Sequence, residues 1–367
     1  MTAARTVDRE GEYFEWRFGT IHYTFVTGEN PGGENPGGEK GPPLLMVPGF
    51  GVGSWHFSNN MEEVARATGR DVYALDILGQ GRSWPAPYGD EGVKCAATGE
   101  RLRYSCDVWV GMIRDFLAGV VGGPAVLVGN SLGGYLCAHA ASQHPDMVAG
   151  VVLLNATPFW GFVRGESDLL WDGYVPAPAA IRGPIEKLWW DNLRKEATVK
   201  SLLRLVYARP EKAECPVMVQ GILRPTGHPH AVDAFASIAF SPVPRASFND
   251  ALGALRCPVL LLYGKEDPWV VPLWGQRAHR VLSQTNADVE YLELSPAGHC
   301  PHHEAPGAVN AALTGWLARQ SGVAGSVELS SGETSVRDGV SITKVDGSPR
   351  NAFEWFDWLR WRATGTV

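Results

Sequence analysis

Apolar residues along this chain fall into short unbroken runs separated by longer stretches with helical spacing. Trp16 to Val26, Leu44 to Val47, Val72 to Asp76, Ala125 to Val128, Val151 to Leu154, Pro258 to Tyr263 and Val289 to Leu294 read as strands. Most lack the polar alternation of a half-exposed strand, which suits a parallel sheet covered by helices on both faces. The stretches between them supply those helices, and the predicted class is α/β with one mostly parallel sheet. Between Pro158 and Phe248 the ladder of strands stops. That region is rich in Trp, Leu and Arg at helical spacing, for example Ile185 to Leu205, and reads as an inserted helical cap. The expected organisation is a core of residues 12–157 and 249–319, a cap of residues 158–248 and a tail of residues 320–367. After Arg319 the composition turns to Ser, Gly, Val and Thr, then ends in the Trp-rich run Phe353 to Trp361. The tail is expected to lie outside the core, with its aromatics docked back on the domain or seated at a membrane interface. Gly28 to Gly41, with its repeated Glu-Asn-Pro-Gly-Gly, reads as a flexible hairpin connection.

Within this pattern, Gly129-Asn130-Ser131-Leu132-Gly133 follows the apolar run Ala125 to Val128 and opens the Ala-rich helical stretch Tyr135 to Ser142. One serine is thereby placed where a strand turns sharply into a helix, the signature of a nucleophile elbow. The flanking glycines allow the tight turn, and the serine itself is expected in a strained backbone region with its hydroxyl clear of the sheet. An acid and then a histidine should follow in chain order. Asp267 and His299 each lie just past the carboxyl end of a predicted strand, the edge where ligands and reactive groups collect in such sheets. Glu266 is a rival acid.

These residue types suit acyl transfer. A serine hydroxyl is a poor nucleophile at neutral pH, so His299 would take its proton and return it to the leaving group. Asp267 would hold the imidazole in the useful tautomer. The developing oxyanion needs backbone donors. The N–H of Leu132 and the N–H of Phe50, in the Gly-rich loop after Leu44 to Val47, are the candidates. An aspartate in place of Ser131 would be needed for a dehalogenase or an epoxide hydrolase, which form their ester intermediate on a carboxylate.

Composition narrows the picture further. A formal net charge of −7 and the lack of a basic stripe exclude nucleic acid as a partner. No apolar segment approaches the roughly 20 residues that span a bilayer. Met1 to Gly11 lacks the apolar core of a secretory signal and the Arg/Ser-rich bias of a transit peptide. The six cysteines show no paired spacing, which argues against a disulfide framework or a zinc knuckle. His299-Cys300-Pro301-His302-His303 has the look of a metal cluster but no second ligand group at matching spacing, so no metal and no cofactor are expected. Cys300, beside the base, is expected to confer thiol sensitivity. Fourteen Trp and thirteen Phe residues occur, several of them in the cap, where any single one reads as ordinary packing. Phe159, Trp160, Phe162 and Trp269, nearest the predicted site, are the candidate substrate-binding positions.

Four segments carry a resemblance: Gly129 to Gly134, Leu153 to Phe162, Tyr263 to Trp274 and Ser295 to His302. Together they resemble the pheophytinase family, α/β-hydrolases of chlorophyll breakdown in plants and green algae. The likeness runs from about Trp16 to about Leu317, cap included; the tail and the Gly28 to Gly41 insertion have no counterpart in it. It implies the α/β-hydrolase fold and hydrolysis of the phytyl ester of pheophytin to pheophorbide and phytol. It also implies a chloroplast location and contact with the thylakoid surface. By position it makes Ser131 the nucleophile, His299 the base and Asp267 the orienting acid. A chlorophyll dephytylase, tolerant of the magnesium-bearing pigment, is the near alternative. A receptor that keeps the three residues but binds a small hydrophobic signal is the distant one.

Overall fold

The computed structural model describes residues 11–28, 41–163, 171–213, 215–286, 288–322 and 329–364. Most of the Gly28 to Gly41 connection lies outside the described residues. Among the described residues, eleven strands form one sheet. They are β1 (Glu12–Trp16), β2 (Gly19–Val26), β3 (Leu44–Val47), β4 (Val72–Leu75), β5 (Trp84–Pro85), β6 (Ala125–Asn130), β7 (Val148–Leu154), β8 (Val259–Gly264), β9 (Val289–Ser295), β10 (Thr334–Arg337) and β11 (Val340–Lys344). The order is β1-β2-β4-β3-β6-β7-β8-β9-β11-β10, with β5 paired to β2. From β4 through β9 neighbouring strands run parallel, and the remaining pairs are antiparallel.

Successive residues of the central strands enter opposite cores, as the period of a strand requires. Leu45, Val47, Leu127, Leu153 and Leu261 face the helices Cys106–Phe116, Leu132–Gln143 and Pro272–Thr285. Leu44, Met46, Val126, Val128, Leu154 and Leu262 face Ser58–Thr68 and Pro306–Gln320. Each fully buried aliphatic side chain of this kind stabilises the fold by about 1.5–3 kcal/mol. With both faces covered, the carboxyl edge of the parallel strands is the place where loops can gather functional groups.

Three expectations need correction or refinement. Trp16 to Val26 is a hairpin, not one strand. β1 and β2 pair antiparallel from Glu12↔Tyr23 to Trp16↔Gly19, and the exposed Glu12, Tyr13 and Glu15 hid β1 from a search for apolar runs. The helical spacing of Ile185 to Leu205 is divided among several elements. Ala179–Ile185 runs into a π turn at Glu186–Trp190, a short turn Asp191–Leu193 follows, and extended backbone at Lys195 precedes Glu196–Val206. The tail is part of the sheet. β11 pairs antiparallel with β9 from Ser341↔Ser295 to Lys344↔Leu292, burying Val340 and Ile342. The helix Ala352–Thr364 docks through Asp357, which takes Arg280 at 3.1 Å and also Arg277.

The cap contributes the helices Glu196–Val206, Pro210–Ala213, Pro216–Leu223 and Ala231–Ala239. It has a small core of its own: Val199, Leu203, Val206, Tyr207, Met218 and Val219 pack together with Val52 and Cys300 from the main domain. Among the described residues no helix is long and apolar enough to cross a membrane.

Candidate active site

Ser131 sits between the last residue of β6 and the first residue of Leu132–Gln143, with φ 53° and ψ −118°. Positive φ in a non-glycine residue is strained, and such strain collects where geometry serves function. The flanking glycines are required by space. A Cβ on Gly133 would stand 2.0 Å from the Val47 carbonyl oxygen, and one on Gly129 would stand 2.4 Å from the Gly133 backbone. The turn is closed by the Ser131 N–H to the Leu154 carbonyl at 3.0 Å and by the Thr157 N–H to the Ser131 carbonyl at 3.1 Å. Ser131 remains partly exposed while its neighbours are buried.

His299 and Asp267 meet beside this elbow. His299 Nδ1 lies 2.7 Å from Asp267 Oδ2, with the two residues 5% and 2% exposed. The carboxylate is filled by further donors. Asn155 Nδ2 reaches Oδ2 at 2.8 Å, and the N–H groups of Trp269 and Val270 reach Oδ1 at 2.8 and 3.0 Å. With Nδ1 engaged, Nε2 is the nitrogen left for a reacting group. The His299 carbonyl accepts from Asn130 Nδ2 at 2.9 Å, which fixes the histidine loop against the residue preceding Ser131. Glu266 is placed elsewhere: it accepts from Ser295 Oγ at 2.6 Å and from the Ala297 N–H at 2.8 Å, tying the two loops together.

The loop after β3 lies against the serine, for a Cβ on Gly49 would be 3.2 Å from Ser131 Cβ. Phe50 follows in that loop, and its ring is 5.7 Å from Trp160. The amide of Leu132 is the first of its helix and has no acceptor within it. Among the aromatic candidates, Trp160 is half-buried between Phe50, Phe162 and Trp109. Trp269 is exposed with its ring 5.5 Å from His299, and Phe159 and Phe162 are exposed. Two open clefts on the surface do not include Ser131, Asp267 or His299 in their lining. One, of about 400 Å³, is lined by Arg101, Arg103 and Tyr174, and another, of about 450 Å³, by Lys265, Val271, Arg350 and Phe353. Side-chain geometry, more than cavity size, therefore marks the site.

Burial pushes the Cys300 thiol well above its ordinary range, with Glu304 adding to the shift, which disfavours the thiolate and argues against the expected thiol sensitivity. His302 and His303 belong to a buried ring cluster with His56 and Tyr207. Among the described residues no group of three or more His, Cys, Asp or Glu side chains is arranged to hold a metal ion.

Sequence reading passed over Asn130, Asn155, Glu304 and Tyr207. Asn155 directly follows β7 with φ 41°, a conformation Asn tolerates better than most residues, and its Oδ1 accepts the Gly264 N–H at 2.8 Å. An Asn closing an apolar strand run was the available signal. Tyr207 meets His56 and His303, and Glu304 meets Ala208 and Arg209, across long sequence separations that leave no local signal.

The family model for alpha/beta hydrolases matches residues 44–312. The chain belongs to the alpha/beta hydrolase family. It is 36% identical over 306 residues to a chloroplastic pheophytinase of Arabidopsis thaliana, covering 75% of this chain and 61% of that protein. It is also 27% identical over 262 residues to a pimeloyl-[acyl-carrier protein] methyl ester esterase of Chromobacterium violaceum, covering 71% of this chain and 89% of the relative. Among solved structures, an enol-lactonase from Burkholderia xenovorans superposes with TM-score 0.58 at 19% identity, covering 83% of this chain and 99% of that one. That last likeness bears on the fold alone.

Proposed function

We propose that this hydrolase cleaves the phytyl ester of pheophytin, releasing pheophorbide and phytol, through Ser131, His299 and Asp267. The observation that carries the reading is the buried His299–Asp267 pair, held beside a strained serine elbow with every other lone pair of the aspartate directed at a donor. Ser131 Oγ attacks the ester carbonyl while His299 Nε2 takes its proton, and the N–H groups of Leu132 and Phe50 receive the oxyanion. Collapse of the tetrahedral intermediate expels phytol, protonated by the imidazolium. Water, deprotonated by the same nitrogen, then releases the acid from Ser131.

The substrate is argued from the similarity to the plant pheophytinase and from the exposed apolar rim of Phe50, Phe159, Phe162 and Trp269. Each buried methylene of a long alkyl chain contributes about 0.8 kcal/mol, so such a rim suits a branched hydrocarbon and a flat macrocycle. The same similarity argues for a chloroplast protein. Contact with the thylakoid surface would use the tail helix, whose Phe353, Trp355, Phe356 and Leu359 are exposed while its Glu354 is buried and its Asp357 is ion-paired.

Incubating the purified protein with pheophytin, chlorophyll and a nitrophenyl ester, then separating the pigments, tests the reading. Pheophorbide must appear with steady multiple turnover. Cleavage of the nitrophenyl ester alone would overturn the substrate, and a single turnover without product release would favour a receptor. Removing residues 346–367 should weaken binding to liposomes, and unchanged binding would remove the membrane contact.

A further inference from the structure

The loop that carries His299 is gripped by the cap as well as by the core. The His299 N–H donates to the carbonyl of Val206, the last residue of the cap helix Glu196–Val206, at 2.9 Å. One oxygen of Glu304 accepts the Gly298 N–H at 3.0 Å, and the other accepts the N–H groups of Ala208 and Arg209 at 2.8 and 3.2 Å. Between these contacts the Tyr207 ring turns inward. Its hydroxyl lies 3.1 Å from His56 Nε2 and 3.2 Å from His303 Nδ1, and His56 Nδ1 lies 3.1 Å from His302 Nε2. The segments are pressed so close that a Cβ on Gly298 would stand 2.4 Å from the Val206 carbonyl oxygen.

Glu304 is 0% exposed and has no ion-pair partner among the described residues. A carboxyl group buried without a cation is costly, and apolar packing of similar volume is commonly the more stable choice. Burial pushes it up to about 7, against the opposing pull of the backbone donors. What this group supplies that an apolar side chain cannot is a pair of acceptors spanning two chain segments. One segment ends in the proposed base, and the other joins the cap helices Glu196–Val206 and Pro210–Ala213.

We propose that Glu304, backed by Tyr207, is a positioning residue that clamps the cap segment 206–209 onto the His299 loop, so that the imidazole is aligned only when the cap is seated. This inference rests on the assignment of His299 as base. It makes the cap part of the catalytic alignment for every ester, including those too small to need the cap for binding.

The test is steady-state kinetics of the full chain and its Glu304→Gln, Glu304→Asp and Tyr207→Phe variants on pheophytin and on 4-nitrophenyl acetate. Glu304→Gln turns one acceptor into a donor facing an N–H group. It should lower kcat about ten- to hundredfold on both substrates, as sub-ångström misplacement of a reacting group does, with KM held within about twofold. Glu304→Asp should recover part of the loss, and Tyr207→Phe should lower kcat by a smaller factor. An unchanged kcat on 4-nitrophenyl acetate in Glu304→Gln would overturn the clamp, as would a rise of KM on pheophytin alone. If Glu304→Gln fails to fold, Tyr207→Phe decides, since it deletes a single hydroxyl; unchanged kcat there also overturns the proposal. Hydrolysis persisting in Ser131→Ala would instead sink the site assignment itself, whatever the Glu304 variants do.

Discussion

The elbow around Ser131 and the loop around His299 are neighbours built on opposite principles. Six consecutive residues, Gly129 to Gly134, make the elbow, and its shape follows from sterics: β6 feeds a helix directly, and the three glycines fit where a Cβ would strike backbone. The histidine loop has no such local logic. It is held by Asn130 from the elbow, Asp267 from the loop after β8, Val206 from the cap and Glu304 from five residues further on. Local backbone strain fixes the first group, and a network of polar side chains fixes the second. Damage should therefore be all-or-none at the elbow and graded around the histidine.

Ser131→Ala gives the sharpest form of that contrast. It removes the proposed attacking atom while leaving the turn intact, so the proposed dephytylation should fall on the order of a millionfold with an unchanged unfolding transition. Residual activity above about a tenth of wild type would contradict the nucleophile assignment. Asp267→Asn should come next, with kcat lower on the order of ten-thousandfold because an amide favours the wrong imidazole tautomer. Glu266→Gln is its control: this neighbour touches Ser295 and Ala297 and not His299, so kcat should stay within about tenfold. Equal losses in both variants would dissolve the distinction between the two acids.

Glu304 extends the comparison to stability. Its carboxyl rises from an ordinary 4.5 to about 7, so the folded state holds that proton more tightly than the unfolded chain does. Its contribution to stability is full below pH 4.5 and is lost as pH rises through about 7. At about 1.4 kcal/mol per pH unit, the loss over that window is about 3 kcal/mol. Denaturant midpoints of wild type and Glu304→Gln, compared from pH 4 to 8, check the sign: the wild type should lose stability relative to the variant as pH increases. An opposite slope would mean that the three N–H donors outweigh burial.

What could be read from the chain follows the same division. The sharp turn at Ser131 and the strands β3, β4, β6, β7, β8 and β9 were legible because each is a contiguous pattern of apolar runs and turn residues. β1, an edge strand, was lost to its exposed Glu12, Tyr13 and Glu15, and β11, inside the edge strand β10, to a Val-Ser-Ile-Thr-Lys alternation set in a polar tail, since each has one apolar face at most. The helical stretch of the cap breaks at Lys195, where neither glycine nor proline marks the stop. Asn130, Asn155, Tyr207 and Glu304 were invisible for a deeper reason. Their roles exist only after residues 24 to 170 positions apart have been folded together.

Asn155→Ala is the mildest probe of the histidine network. The side chain does two things at once, giving Nδ2 to Asp267 at 2.8 Å and taking the Gly264 N–H on Oδ1 at 2.8 Å. Its removal leaves a buried N–H without its acceptor, which costs about 1–3 kcal/mol of stability. Asp267 keeps the Trp269 and Val270 N–H groups and His299, so its orientation is loosened and not lost. Activity should fall about tenfold in kcat with KM little changed, well short of the loss in Asp267→Asn. A loss as large as that of Asp267→Asn would mean that Asn155 alone sets the aspartate. The histidine loop would then be as brittle as the serine elbow, and the contrast between graded and all-or-none regions would fail.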